Sequence, residues 1–556
     1  MDGAETPAAI LARADRLRDG GDWTAAEPHY RAYLALRPDH AAIHVQLGHA
    51  VKAGGDAEAA LVHYRRAATL DPADPDPLLQ EGHALRLLGR GAEAAQLFSR
   101  ALALDPASPQ ARRGIALSRH RLEPPSDAPL APPHPAPQGP PTQLAFDVTD
   151  LLDYIRDSRT PTGIQRVQAS LLREILAHPA PPAPVILVGY DPSAWRWWHV
   201  DEAAFRRMLE LARTGAEPGD PAWRAAVAGL SDPDARPDAP VAAGATLTSF
   251  GNAWGIEDYF RGLRLLRRRV PLRYCAFLHD CIPLLMPEHC AEITPPLYAR
   301  WFASLALQAD LLMANSRATA ADATRLGAPL GLRPAPAVVP LAVDPPPDPD
   351  AAKAAAEALD IEEPEAAFVL FVATLESRKN HLLVFRAWLE LLRRLPAARV
   401  PRLLCIGRPG WKAGAALDLL ARSPALRAKV SILSGVSDLA LAGLTSRCLF
   451  TVYNSFHEGW GLPVTESLAA GKVCVVPAHT GLLESGAPGA VFFPAGDEPR
   501  LLALLERMIT DAAWRAEQEA AIDRPAASRP WRDAAEAALA HLGRAHPDAG
   551  RPAHAP

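Results

Sequence analysis

Two rhythms of apolar and small positions divide the chain. In residues 1–120 four columns recur at a spacing of 34: Tyr30, Tyr64 and Phe98; Ala26, Ala60 and Ala94; Gly21, Gly55 and Gly89; and Pro38, Pro72 and Pro106. A period of that length fits a unit of two helices whose apolar face is buried only against a neighbouring copy, so stacked helix pairs are predicted. Asp71-Pro72 and Asp105-Pro106 close one helix and open the next unit, because proline cannot continue a helix interior. Gly48 and Gly82 are the small residues where paired helices approach. From Thr142 the rhythm changes to short apolar runs separated by amphipathic helical segments. LAFDV (144–148), PVILVGY (184–190), YCAFLHD (274–280), DLLMANS (310–316) and AVVPLAV (337–343) read as buried strands. After the Pro/Asp-rich loop 345–350 the pattern restarts with FVLFVATL (368–375), RLLCIG (402–407), VSIL (430–433), CLFTVYN (448–454), KVCVVP (472–477) and AVFF (490–493). Near-continuous apolar strands alternating with helices predict parallel sheets, here two Rossmann-like halves facing a cleft. Ligands of such sheets bind beyond the carboxyl ends of the strands.

The 34-residue unit resembles the tetratricopeptide repeat (TPR), about three copies with a capping helix over 1–120. Such a solenoid offers a groove for a protein partner, or for self-association; an oligomerisation or spacer module is the plainer alternative. Proline then marks the boundaries. The chain has 56 Pro in 556 residues, nine of them in the 18 residues of 124–141, so 121–141 reads as a semi-rigid extended linker. The resulting organisation is 1–120 repeats, 121–141 linker, 142–345 an N-terminal Rossmann-like domain, 346–540 a C-terminal Rossmann-like domain, and 541–556 a disordered tail.

Composition narrows the class. With 49% hydrophobic and 22% charged residues the chain is globular rather than disordered. A net charge of −5 argues against nucleic acid as a partner. Six scattered Cys do not make a disulfide framework and fit a reducing compartment. The first 21 residues carry charges throughout, unlike a signal peptide, and no stretch reaches 18 apolar residues. The expected location is therefore the cytoplasm, or peripherally at the inner membrane. Of 58 Lys and Arg only six are Lys, leaving 52 Arg, so the few Lys are the more informative cations.

Two segments carry chemistry. In SFHEGWGLPVTESLAAGKVCVV (455–476) a strand runs into a glycine-bearing loop and then a short helix entered at Pro463 and closed near Gly471. Proline at a helix start and glycine past its end is the expected asymmetry. Glu458 lies in the loop and Glu466 in the first turn, while Gly459 and Gly461 let backbone approach a ligand. A helix N-terminus offers free N–H groups and a positive dipole end, suited to a diphosphate, and two carboxylates can accept from sugar hydroxyls. In FVATLESRKNHLLVFRAW (371–388) a strand enters a loop holding Arg378 and Lys379. Adjacent cations at a helix start are misplaced electrostatically unless an anion binds there, and a departing phosphate would be such an anion. Walker, nucleophile-elbow and dinucleotide glycine motifs are absent from the sequence.

These segments, in this order, resemble the donor-binding domain of the retaining family 4, or "group 1", glycosyltransferases, which have a GT-B fold. SRKN resembles their Arg-Lys motif, EGWGLPVTE their Glu-x7-Glu motif, GVSDLALAGL (435–444) their strand-following Asp segment and IGRPGW (406–411) their Gly-rich loop. FDVTDLLDYIRDSRTPTGIQRV (146–167), FLHDCIPLLMPEHC (277–290) and NSRAT (315–319) resemble N-terminal segments of a subgroup, so the likeness covers roughly 142–540. Ala373 departs from the pattern, standing where many members have Gly.

The resemblance implies that Arg378 and Lys379 bind the donor diphosphate, Glu458 contacts the donor sugar, and His279 faces the reaction centre. Glu466 would hold ribose hydroxyls, with Gly459, Gly461 and Leu462 around the donor. Gly163 and Arg166 would approach from the other domain, and Asp438 would lie near the base. It further implies retention of configuration, no metal, and no cofactor, the nucleotide-sugar being a substrate. Plainer readings stay open: His279 packed beside Asp280, Asp438 as a helix cap, Arg166 as one Arg among many. Cys281, His289 and Cys290 lack the paired spacing of a zinc site. The expected function is transfer of a hexose, with GDP-mannose the family-weighted donor, to a glycan or lipid-linked glycan acceptor in surface polysaccharide synthesis. The alternatives are a protein O-glycosyltransferase whose acceptor is recruited by the repeats, a TPR scaffold with an inactive transferase domain, and an epimerase or phosphorylase of the same fold.

Overall fold

The structure, a computed structural model, describes residues 6–19, 22–88, 90–105, 108, 110–111, 114–115, 134–161, 163–192, 195–215, 217–230, 237–332, 335–344, 348–359 and 367–544. Gly21, Gly89 and Pro106, most of the proline-rich linker, residues 345–347 of the inter-domain loop and residues 545–556 of the expected tail lie outside the described residues. The chain divides into two compact units, the N-terminal helices and the α/β remainder.

In the N-terminal unit the helices Pro7–Asp19, Trp23–Leu36, Ala41–Ala53, Ala57–Leu70, Asp76–Leu87 and Gly91–Leu104 follow one another, each packed on the next where the contacts are strongest. The repeating columns have distinct physical jobs. Tyr30, Tyr64 and Phe98 are fully buried, as are Ala26, Ala60 and Ala94. A Cβ on Gly48 would lie 2.4 Å from the Tyr64 ring, and one on Gly82 would lie 2.7 Å from Phe98. Glycine in one helix is thus the space the aromatic of the next helix fills. Asp22 and Asp56 cap their helices, accepting from Ala25 N and Ala59 N.

The second unit holds two sheets. The first consists of β1 (Leu144–Asp147), β2 (Val185–Asp191), β3 (Arg196–Val200), β4 (Ala245–Ser249), β5 (Leu272–Leu278), β6 (Leu311–Ala314) and β7 (Ala337–Val338) in the order β3-β2-β1-β4-β5-β6-β7. The second consists of β8 (Phe368–Val372), β9 (Arg402–Ile406), β10 (Val430–Leu433), β11 (Thr451–Val452), β12 (Cys474–Pro477) and β13 (Val491–Phe493) in the order β10-β9-β8-β11-β12-β13. Apart from the β2–β3 pair, neighbouring strands are parallel. Two Rossmann-like domains are therefore present, as the GT-B resemblance implies. The chain reverses direction across the sheet between β1 and β4, and again between β8 and β11. Crevices at the carboxyl ends of strands open at such reversals. The apolar runs marked most of these strands but not β3 or β4. β4 reads ATLTS, and Thr246 and Thr248 are buried despite their hydroxyls, so alternation with polar residues disguised a core strand.

One boundary moves. The sequence places residues up to 540 in the C-terminal domain, but the last helix, Trp531–Leu542, joins the first domain's core. Trp531, Ala534, Ala535, Ala538, Leu539 and Leu542 are buried in the same cluster as Leu171, Phe146 and Met313. The chain crosses back to the first domain beside Val343, which bridges Pro530. Removing a buried Leu side chain costs about 2–5 kcal/mol. Leu539→Ala is accordingly expected to lower the unfolding free energy of the α/β unit by about that amount, measured by urea titration followed by tryptophan fluorescence. A change within error would mean the helix is not docked.

Candidate active site

The two motif segments meet because of topology. Arg378 and Lys379 follow β8, Glu458 follows β11, and these adjacent strands flank the reversal point of the second sheet. A 3-10 turn, Ser377–Lys379, carries the cations. Asn380, at φ +53°, then starts the helix His381–Arg394 and caps it by accepting from Leu383 N. Asparagine is among the residues that tolerate this left-handed backbone.

Glu458 is the hub. Its Oε1 accepts from Arg378 Nη1 at 2.7 Å, Lys379 Nζ at 2.5 Å and Tyr453 Oη at 3.1 Å. Lys379 Nζ also donates to Tyr453 Oη at 2.6 Å. Arg378 donates to the His457 carbonyl at 2.7 Å and through Nη2 to Glu376 at 2.7 Å. Burial alone would raise the Glu458 carboxyl, but Arg378 and Lys379 outweigh it and hold the group at about 2. Burial and the Arg378 charge push the Lys379 ammonium down, with Glu458 opposing. Against the cost of burial, Glu458 and Glu376 keep the Arg378 guanidinium charged.

Across the cleft, His279 follows β5. Its Nε2 lies 2.7 Å from the Phe250 carbonyl, so this nitrogen donates and Nδ1 is left as an acceptor. Burial lowers its pKa to about 4, so the ring is neutral near pH 7. The His279 carbonyl accepts from Asn315 Nδ2 at 2.7 Å. Gly459 packs against that carbonyl, where a Cβ would come within 1.7 Å. Gly461, at φ +98°, leads into the helix Leu462–Ala469. Trp460 and Leu462 pack into the first domain's core. A cavity of about 170 Å³ lies beside this junction, lined by His279, Asp280, Trp254, Trp301, Glu376 and Arg378 among others.

The remaining expected residues form a second cluster. Glu466 lies in the second turn of its helix rather than the first, because the helix begins at Leu462. Its Oε1 is 2.9 Å from Arg166 Nη1 of the first domain. The resemblance implies separate roles for these two residues, whereas the fold pairs them. Glu466 foremost raises the Arg166 pKa, while burial, opposed by Arg166, raises that of Glu466. Gly163, at φ +54°, starts the helix that carries Arg166. Asp438 is the first residue of the helix Asp438–Arg447, but Ser437 is its cap, accepting from Ala440 N. Asp438 instead adds negative charge near Arg166 and Glu466. Cys281 and Cys290 are free, buried thiols, and among the described residues no three His, Cys, Asp or Glu are grouped to hold a metal ion. No helix among them is long and apolar enough to cross a membrane.

Sequence reading missed Tyr453, Glu376 and Asp150. Tyr453 is the next-to-last residue of the run CLFTVYN (448–454), where a hydroxyl near the close of an apolar strand is the available signal. Glu376 stands two residues before Arg378. Asp150 accepts from Gln165 Nε2 at 3.1 Å and is raised to about 6, chiefly by burial. Nothing in its spacing distinguishes it from its acidic neighbours.

Comparison with known proteins places this geometry. Residues 356–526 match the family model described as glycosyl transferases group 1, and Arg378, Lys379, Glu458 and Glu466 all fall inside that segment. The chain is 26% identical over 361 residues to the serotype-specific mannosyltransferase WbdA of Escherichia coli, which covers 61% of this chain and 39% of that protein. It is 28% identical over 148 residues to the O-antigen chain mannosyltransferase B of Escherichia coli, covering 27% and 38%. The chain thus spans less than two fifths of these curated relatives. Among solved structures, HepE of Anabaena in complex with UDP-glucose aligns over 72% of this chain and 98% of its own, at 15% identity and a TM-score of 0.47.

The depressed Glu458 carboxyl has a consequence for acid stability. Its folded value of about 2 lies below the ordinary 4.5, so its contribution is present above the ordinary value and is lost as pH falls through the folded one. Between pH 4.5 and 2 the wild-type chain is expected to lose stability more steeply than Glu458→Gln, as read from urea midpoints at each pH. Parallel curves would contradict the charge cluster.

Proposed function

We propose that the chain is a cytoplasmic, retaining glycosyltransferase that moves a hexose from a nucleotide-sugar, with GDP-mannose the first candidate, to a glycan or lipid-linked glycan in surface polysaccharide synthesis. One observation carries the reading. Two cations and the carboxylate Glu458 converge at the reversal point of the second sheet, inside the segment matching the group 1 glycosyl transferases. The mannosyltransferase relatives support the donor sugar and the polysaccharide setting.

The chemistry follows from donors and acceptors. An ammonium has three N–H donors, and Lys379 commits two, to Glu458 and Tyr453. The third is available to a phosphate oxygen. Arg378, held by Glu376 and the His457 carbonyl, presents a fixed charge beside it. Together they stabilise the negative charge that grows on a departing nucleoside diphosphate, before and during bond cleavage. Glu458, ionised and immobilised, accepts from donor-sugar hydroxyls, and neutral His279 accepts through Nδ1 from the opposite wall. Glu466 accepts from ribose hydroxyls by sharing them with Arg166. In this reading the residues orient the donor and stabilise its leaving group with no metal taking part.

The test is calorimetric binding of UDP-, GDP-, ADP- and dTDP-sugars. One nucleotide-sugar should bind, and Lys379→Ala and Glu466→Ala should each weaken it about 10- to 150-fold, the loss expected for one charge-assisted hydrogen bond of about 1.5–3 kcal/mol. Failure of the whole panel to bind or turn over would remove the enzyme reading.

A further inference from the structure

Glu484 belongs to neither motif cluster, yet it joins the domains at the cleft. It lies in the short helix Leu482–Ser485 of the second domain. Its carboxylate accepts from the backbone N–H groups of Arg317 at 3.0 Å and Ala318 at 2.9 Å. These open the helix Arg317–Gly327 of the first domain. The Glu484 side chain is only 13% exposed. The helix has its own cap, Ser316 Oγ accepting from Thr319 N at 2.9 Å. Glu484 therefore takes the two N–H groups that this cap leaves over, and helix formation does not require it.

What lies behind each partner gives the contact its meaning. On the second-domain side, Gly481 N donates to the Glu458 carbonyl at 3.1 Å. A Cβ on Gly481 would meet the Gly459 carbonyl at 2.1 Å. The Glu484 segment and the Glu458 loop are thus packed backbone on backbone. On the first-domain side, Asn315, next to the helix cap, donates to the His279 carbonyl, and Thr319 Oγ1 lies 3.4 Å from the same oxygen. A second grip acts on the flank of the same helix, where His457 Nε2 lies 3.2 Å from Asp322 Oδ2. His457 immediately precedes Glu458. One first-domain helix is therefore held at its end by Glu484 and on its side by His457, and it is bonded through Asn315 to His279.

We infer that Glu484 is a positioning residue that closes the two domains and sets Glu458 opposite His279. A carboxylate suits the task because its two oxygens accept from two adjacent N–H groups while its charge meets the positive end of the helix. A Gln at this position brings one oxygen and an NH₂ group that cannot accept. An Asp keeps both acceptors but falls short by one methylene. The turnover arm of the test rests on the glycosyltransferase reading, and the hydrogen-exchange arm does not.

The experiment is hydrogen exchange on the full chain, comparing wild type, Glu484→Gln and Glu484→Asp, alongside turnover and calorimetric binding of the free nucleoside diphosphates. In Glu484→Gln the amides of Arg317 and Ala318 should exchange at least tenfold faster, and faster exchange should spread to residues 457–461. The melting temperature of the chain should stay within 2 °C of wild type, about the shift 1 kcal/mol produces in a domain of this size. The turnover number should fall at least tenfold while nucleoside diphosphate affinity changes less than twofold, and Glu484→Asp should fall between. If the Arg317 and Ala318 amides already exchange freely in wild type, or if the acceleration stops at those two amides, the inference is overturned. Unchanged turnover in a Glu484→Gln enzyme would also overturn it. Should Glu484→Gln fail to fold, the same comparison is read from Glu484→Asp. If wild type turns over no nucleotide-sugar, the functional reading falls while the exchange arm still decides the role of Glu484.

Discussion

A carboxylate buried between two cations is the constraint around which the α/β unit is arranged. Removing three charges from water is expensive, and their mutual attraction compensates only when the geometry leaves no donor or acceptor stranded. Here Glu458 accepts from Arg378, Lys379 and the Tyr453 hydroxyl, and Glu376 and the His457 carbonyl also accept from the guanidinium. Such a cluster tolerates little displacement. It fixes the loops after β8 and β11 relative to one another.

The first domain is brought to that cluster at the level of the backbone. Gly459 touches the His279 carbonyl and Gly481 touches the Gly459 carbonyl, at distances a side chain would forbid. Trp460 and Leu462 then insert into the first domain's core, and the helix Trp531–Leu542 returns to the same core. Apolar anchoring thus brings the domains together, and polar contacts of definite direction set their register. Arg166–Glu466, His457–Asp322 and Glu484 with the Arg317–Gly327 helix are contacts of that second kind. Each sets a charged group against a partner in the other domain.

Much of this was legible in the chain. The apolar runs located most of the strands, and the 34-residue columns located the N-terminal helices. The glycines of those columns became intelligible once their neighbours were seen: Gly48 and Gly82 are spaces for Tyr64 and Phe98. The sequence also singled out Arg378 and Lys379 as cations at a helix start and Glu458 and Glu466 as carboxylates in and after a glycine-bearing loop, and the family resemblance added His279. It missed β3 and β4. In β4, buried threonines imitate a surface pattern.

Local patterning determined the elements, the repeat period and the loops that bear charge, since these depend on neighbours within a turn or a strand. Which charges face one another was decided only by tertiary structure. Arg166 and Glu466 are 300 residues apart and appeared as two independent ligand contacts, yet they are partners. Glu484 resembles any surface glutamate until the fold brings the open end of the Arg317–Gly327 helix to it. The last helix carries an apolar stripe that names no destination, and packing sends it to the first domain. Pairings of this kind depend on strand order and domain closure. Those are set by burial summed over the whole unit, and no single stretch of sequence records that sum.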